Sequence, residues 1–198
     1  MRFTFSITLC LASATLVGCG SKTPKQSSQL KDSDDPGVVV PEEAKAQAIA
    51  AKNELFGKLS GRLMEVMQAE GPVKAIEVCS NEANEIASSV SEQLGVKIGR
   101  TSLKLRNPNN RPPKWAKKLF DQKPHEPQFA NVSEGTTGAL LPIKLQTKCL
   151  MCHGPVESLV PGVSEQLAKL YPDDQATGFQ EGDLRGWFWV EVPSQTDQ

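Results

Sequence analysis

Five consecutive residues, Cys149-Leu150-Met151-Cys152-His153, bring two thiols and an imidazole into one short segment. Two cysteines separated by two residues and followed at once by histidine form the attachment signature of a c-type haem. In that chemistry each thiol adds to a haem vinyl group as a thioether, and the imidazole binds the iron from one side. We therefore expect one covalent haem c on Cys149 and Cys152, with His153 as an iron ligand.

The first residues predict export, the context in which the haem signature is most specific. Arg2 precedes an apolar run that ends at Leu16–Cys19, and this pattern is typical of a signal peptide. The ending resembles the lipobox of bacterial lipoproteins, which implies cleavage before Cys19 and lipid on its thiol. Ordinary secretion with Cys19 unmodified is the alternative. Gly20 follows, where lipoproteins retained in the inner membrane usually carry aspartate. We expect a lipid anchor on the periplasmic side of the cell envelope, with the outer membrane favoured.

Composition divides the chain into three parts. Residues 1–18 form the predicted signal peptide, residues 19–41 a polar disordered tether, and residues 42–194 a single haem c-binding domain. Loss of residues 1–18 moves the formal net charge from −1 to −2, because Arg2 is the only charged residue there. A near-neutral surface without a basic patch gives no basis for nucleic-acid binding. No hydrolytic dyad or phosphate-binding loop is visible, so we expect a non-enzymatic protein whose redox partner is unknown.

Hydrophobic spacing predicts long helices first and strands later. Apolar residues recur at three- and four-residue steps over 41–70 and 72–94, and Gly71 and Gly95 mark the two ends. Shorter helices and strands follow, the helices at 114–122 and 163–170 and the strands at 96–106, 128–132, 139–146 and 187–192. Helices followed by strands that are not adjacent in the chain favour an α+β fold with an antiparallel sheet.

The ligand on the other side of the iron stays open when only the residues are considered. Met151 lies between the two cysteines of the signature and cannot reach round the haem. The remaining candidates are an open site or one of four side chains, Met64, Met67, Cys79 and His125. Cys79 lies on the apolar stripe of the second helix, where a small core cysteine is the ordinary interpretation. A structural zinc site built from Cys79, the two signature cysteines and His153 is a further alternative.

Two arginines are candidates for binding the haem propionates. Arg100 and Arg106 lie in the predicted strand 96–106, and a guanidinium group matches a carboxylate in a bidentate way. Exposed strand and loop charges are an equally good interpretation of these two residues. For Arg111 the exposed-charge interpretation is favoured.

Several ordered segments carry a resemblance to a known family, namely Ala75–Cys79 with Ala83 and Ile86–Ala87, Ile98–Asn109, Cys149–Gly154, Tyr171–Phe179 and Gly182–Gly186. Over roughly residues 45–192 the chain resembles a haem c-binding family with a PAS-like fold. That family is typified by a cyanobacterial photosystem II-associated c-type haem protein, and it also supplies sensor inputs to bacterial signalling proteins. The resemblance implies a PAS-like antiparallel sheet with N-terminal helices packed against it, and a haem held by His153 and Cys79.

A histidine and thiolate ligand pair predicts the direction of the redox chemistry. Thiolate is a strong anionic donor that favours ferric iron, so the reduction potential should be low. We therefore expect a membrane-anchored mono-haem cytochrome-like protein in low-potential electron transfer. A haem-based redox or gas sensor is the alternative.

Overall fold

The computed structural model describes residues 39–133 and 135–194. The predicted signal peptide, Cys19 and all but the last three residues of the predicted tether lie outside these ranges. Within them, no helix combines the length and the apolar character that a bilayer crossing requires.

The first long helix, α1 (Glu42–Glu70), confirms the helix predicted over 41–70. Glu42 and Glu43 occupy its first turn, where carboxylates interact favourably with the positive end of the helix dipole. Ala48 and Ala51 are fully buried against the sheet, and their small side chains let the helix backbone approach the strands closely.

The second predicted helix is not continuous. It consists of α2 (Pro72–Glu77), one π-helical turn (Val78–Glu82) and α3 (Ala83–Leu94). In the π turn the Ala83 amide donates to the Val78 carbonyl, five residues back. One inserted residue rotates the following helix face by roughly 100°. Consequently α2 packs with residues 163–171, whereas α3 buries its side chains against the sheet.

Four strands form one antiparallel sheet in the order β1-β4-β3-β2. They are β1 (Lys97–Thr101), β2 (Gln128–Ser133), β3 (Thr136–Lys144) and β4 (Leu184–Pro193). All four predicted strands are confirmed, although the one predicted over 96–106 ends early, at Thr101. The Ser102 hydroxyl accepts a hydrogen bond from the Lys104 amide, and this local turn replaces further strand pairing. Long N-terminal helices packed on an antiparallel sheet confirm the α+β fold class.

The two faces of the sheet bury different elements. One face packs against α1 and α3 in the main core. The other is covered by a 3-10 turn (Lys114–Ala116) and α4 (Lys117–Asp121), where the ring of Phe120 meets that of Trp187 edge-on. The predicted helix at 163–170 is α6 (Val163–Leu170), and the haem signature forms a short helix of its own, α5 (Leu150–His153).

The close approach of β1 and β4 predicts that Gly99→Ala destabilises the protein. A Cβ atom at Gly99 would lie 2.6 Å from Cε2 of the Trp189 indole ring. Overpacking of this kind typically costs about 1–3 kcal/mol. Gly57→Ala is the control, since that exposed helical position has no atom within 4 Å of an added Cβ, and alanine there should stabilise α1 by roughly 1 kcal/mol. Urea unfolding of both variants measures the difference, and equal stabilities would contradict the packing described.

Candidate functional site

One cavity of about 250 Å³ collects the residues that the sequence singled out for chemistry. Its walls come from α1, α2 with the π turn, the end of β1, and the segment that contains α5. All six predicted side chains line it: Cys79, Arg100, Arg106, Cys149, Cys152 and His153. Of the other ligand candidates, Met64 and Met67 also line the cavity, whereas His125 lies outside it.

The haem signature is a compact helical segment. A 3-10 turn (Thr147–Cys149) leads directly into α5, so Cys149 and Cys152 lie on one helix face, three residues apart. Both are partly buried free thiols. Gly154 ends the helix by donating its amide to the Leu150 carbonyl at 2.8 Å. A Cβ at this position would lie 2.6 Å from that same oxygen, so glycine is required for the tight turn.

A backbone carbonyl determines which nitrogen of His153 can bind a metal. The Nδ1 atom lies 2.7 Å from the Ala176 carbonyl oxygen, which can only accept, so Nδ1 carries the proton. Nε2 therefore keeps its lone pair and is the nitrogen available to bind a metal. Burial, followed by the positive charges of Arg106 and Arg185, holds the pKa of His153 well below its ordinary value. The imidazole is thus neutral near pH 7, as a metal ligand must be.

The loop that carries Ala176 is tied to the haem signature by further hydrogen bonds. Phe179 donates its amide to the His153 carbonyl at 3.0 Å, and Gly178 donates to the Gly154 carbonyl at 2.8 Å. The Phe179 ring meets the His153 ring edge-on, with 6.4 Å between their centroids. The imidazole is therefore oriented by both a hydrogen bond and an aromatic contact.

Arg106 stabilises the position of this loop next to the haem signature. Its Nε donates to Asp174 Oδ2 at 3.1 Å, and its Nη2 donates to the Cys152 carbonyl at 2.6 Å and to the Ala176 carbonyl at 3.2 Å. Both members of the ion pair are buried, with side-chain exposures of 9% each. Arg106 thus connects β1's continuation, the haem signature and the loop that orients His153.

Cys79 reaches the cavity from the π turn. Burial raises the pKa of its thiol, and the positive charges of Arg100, Arg106 and Arg185 oppose that rise. A metal ion bonded directly to the sulfur would supply the missing stabilisation of a thiolate. At its C-terminal end the π turn is held to α1 by a bidentate ion pair, in which Arg62 Nε and Nη2 lie 2.7 and 3.2 Å from the Glu82 carboxylate.

Electrostatically, the cavity suits an anionic ligand. The side chains of Arg100, Arg106, Lys148 and Arg185 line it, and no aspartate or glutamate does among the described residues. Thr101 also lines the cavity, and its buried hydroxyl has no hydrogen-bond partner within the described ranges. Thiols for attachment, a neutral imidazole and excess positive charge therefore share one space, and this combination fits a haem with its two carboxylates.

The geometry of the cavity does not support the alternative of a structural zinc site. A tetrahedral site needs three or four ligands converging on one ion. Among residues 39–133 and 135–194, no group of three or more His, Cys, Asp and Glu side chains is placed to hold a metal ion together.

Several residues of the site were not identified from the sequence. Arg185, Asp174 and Ala176 fall within the segments that carried the family resemblance, but nothing assigned them a role. The part played by Ala176 is a backbone carbonyl, which any residue type could supply. Arg185 lies at the start of β4, just before its most β-prone residues. From the sequence alone it is interpreted as an ordinary charge at the end of a strand.

Comparison with known proteins identifies the family. The family model described as Tll0287-like matches residues 27–193, and the chain therefore belongs to the Tll0287-like family. Among solved structures, the chain is similar to the crystal structure of the cyanobacterial heme-protein Tll0287. The two share 22% sequence identity and a TM-score of 0.55, over 80% of this chain and 99% of that chain. At this identity the likeness concerns the fold. No curated protein matches the chain.

The buried ion pair between Arg106 and Asp174 predicts that Asp174→Asn strongly lowers the free energy of unfolding. Removal of one partner leaves Arg106 as a buried uncompensated cation, which typically costs about 3–5 kcal/mol. Asp121→Asn is the matched control, because Asp121 pairs with Lys117 on the surface, where such a bridge contributes about 0–1 kcal/mol. Chemical denaturation of the two variants measures both values. Comparable small losses would show that Arg106 does not depend on Asp174.

Proposed function

We propose that this member of the Tll0287-like family carries one covalent haem c in the described cavity and transfers single electrons. The observation that carries the proposal is the convergence of Cys149, Cys152 and His153 with Cys79 on the walls of one cationic cavity. A heme-protein with the same fold supports it, since the solved structure that this chain resembles is described as one. When bound, the haem iron supplies a one-electron ferric/ferrous couple.

In this proposal different residues of the cavity attach the haem and bind its iron. Cys149 and Cys152 hold the haem through thioether bonds. His153 Nε2 would bind the iron, because Nδ1 is committed to Ala176. Cys79 Sγ would supply a second, thiolate ligand, which favours ferric iron and therefore a low reduction potential. We assign no catalysis to the protein.

Export and anchoring complete the proposal. The signal peptide would direct export and be removed, and the lipid on Cys19 would then hold the haem domain to the periplasmic side of the envelope, preferably at the outer membrane. Several acyl chains bind a bilayer firmly, whereas one binds it marginally. In Cys19→Ser cells the haem protein should leave the membrane fraction. Its continued recovery in that fraction would refute the lipid anchor.

A haem-based redox or gas sensor is a second candidate. Cys79 comes from a π turn, an irregularity frequently found at functional sites, and the thioethers of Met64 and Met67 line the same cavity. Loss of the Cys79 bond on reduction would open the iron to carbon monoxide or nitric oxide. The absorption spectrum of the reduced protein under carbon monoxide distinguishes the two functions. Carbon monoxide should leave the spectrum of an electron carrier with six retained ligands unchanged, and it should shift the spectrum of a sensor.

Ferric spectra of the mature protein and its Cys79→Ala variant test the ligand assignment. We expect low-spin thiolate signals in the electron-spin-resonance spectrum of the wild type, and their complete loss in the variant. Met64→Leu and Met67→Leu are the controls, since both side chains line the cavity and both substitutions roughly conserve volume. The controls should keep the wild-type signals. Thiolate signals that survive in Cys79→Ala, or that disappear in a methionine variant, would overturn the assignment.

A further inference from the structure

The three arginines that line the cavity differ in how many of their N–H groups are still free. A guanidinium binds a carboxylate bidentately through two neighbouring N–H groups, along either its Nε–Nη2 edge or its Nη1–Nη2 edge. Arg106 has no such edge left. Its Nε is bonded to Asp174, and its Nη2, which both edges share, is bonded to the carbonyls of Cys152 and Ala176.

Arg185 keeps one complete edge. Its Nη1 donates to the Ser102 hydroxyl at 2.7 Å and to the Lys104 carbonyl at 3.0 Å, while Nε and Nη2 have no hydrogen-bond partner within the described part of the chain. The guanidinium also lies over the Phe179 ring, 5.7 Å from its centroid. Burial is the main reason that the pKa of Arg185 falls to about 10, so the group is still a cation at neutral pH. The Arg185 guanidinium is therefore a cation that is held in one orientation and keeps two neighbouring N–H groups free.

Arg100 is free along both edges. Within residues 39–133 and 135–194 its guanidinium group has neither a hydrogen bond nor a carboxylate within ion-pair distance, although the residue is only partly exposed. Burial lowers its pKa, and a cation removed from water without a partner is costly. In a native protein such a group normally has a partner, and here the cavity is where a partner can bind.

We propose that Arg100 and Arg185 bind the two propionate carboxylates of the haem, and that Arg106 serves as a structural brace only. This inference rests on the proposed haem. The number of guanidinium groups matches the number of propionates, because Asp174 already neutralises Arg106 and two free guanidinium groups remain for two carboxylates. A thiolate at Cys79 carries a single negative charge and could pair with only one of these two groups.

Gly186 allows Arg185 to take this position. A Cβ at residue 186 would collide with the Thr101 carbonyl and lie 3.0 Å from the Ser102 Cβ, so only glycine brings this end of β4 against the end of β1. The same approach places Arg185 beside Ser102, whose hydroxyl donates to the Arg185 carbonyl at 2.6 Å. The two proposed propionate ligands are thus joined through neighbouring strand ends.

Resonance Raman spectra of the holoprotein test the division of roles, because the propionate bending band responds to the hydrogen bonds of those carboxylates. Arg100→Gln and Arg185→Gln should each shift this band and lower the reduction potential, since an uncompensated carboxylate favours ferric iron. Arg106→Gln should leave the band at the wild-type position while it lowers stability. Arg111→Gln, which removes an arginine outside the cavity lining, should leave band, potential and stability unchanged.

Lysine variants separate charge from geometry. Arg100→Lys and Arg185→Lys keep a cation without the fork, so they should restore most of the potential but not the band position. A band at the wild-type position in both lysine variants, or a band that moves only in Arg106→Gln, would overturn the assignment of the propionates. A wild-type protein that carries no haem would instead refute the proposed function itself.

Discussion

The site depends on one hydrogen bond, from His153 Nδ1 to the carbonyl of Ala176. It leaves Nε2 as the only nitrogen of this imidazole with a free lone pair, and therefore as the atom available to bind a metal. Ala176 is itself fully buried, and its carbonyl accepts a second bond from Arg106. The orientation of the imidazole is consequently coupled to the buried Arg106–Asp174 pair. A change in that ion pair would therefore reach the His153 imidazole through the Ala176 carbonyl.

An irregularity in a helix brings Cys79 to the same cavity as His153. Cys79 belongs to a helix that, without the π turn, would present a different face after Val78. The turn allows α2 to pack on α6 while α3 packs on the sheet, and it puts the thiol at the junction. Cys79 therefore lies at an irregular point of an otherwise regular helix, whereas His153 is the last residue of the short helix α5.

The fold was largely predictable because its signals are local and repeated. Apolar spacing identified both long helices, and β-prone runs such as Trp187–Val192 identified the strands. Cys149, Cys152 and His153 stood out in the sequence because haem attachment demands particular side chains at a particular spacing, and the structure places all three on one cavity. The other features of the site could not be predicted from the sequence. The π turn has no residue-type signature, Ala176 acts through its backbone, and the different roles of Arg106 and Arg185 follow from which partners each meets across more than 40 residues of chain.

The proposed function requires a haem that is bonded covalently to Cys149 and Cys152. Its most direct test is peptide mapping of the mature protein, purified after co-expression with cytochrome c maturation machinery and then fully denatured. If the haem is covalently attached, it stays with the protein after denaturation and its mass appears on the peptide containing Cys149–His153. A colourless protein, or haem that dissociates and leaves both thiols of that peptide unmodified, would contradict it.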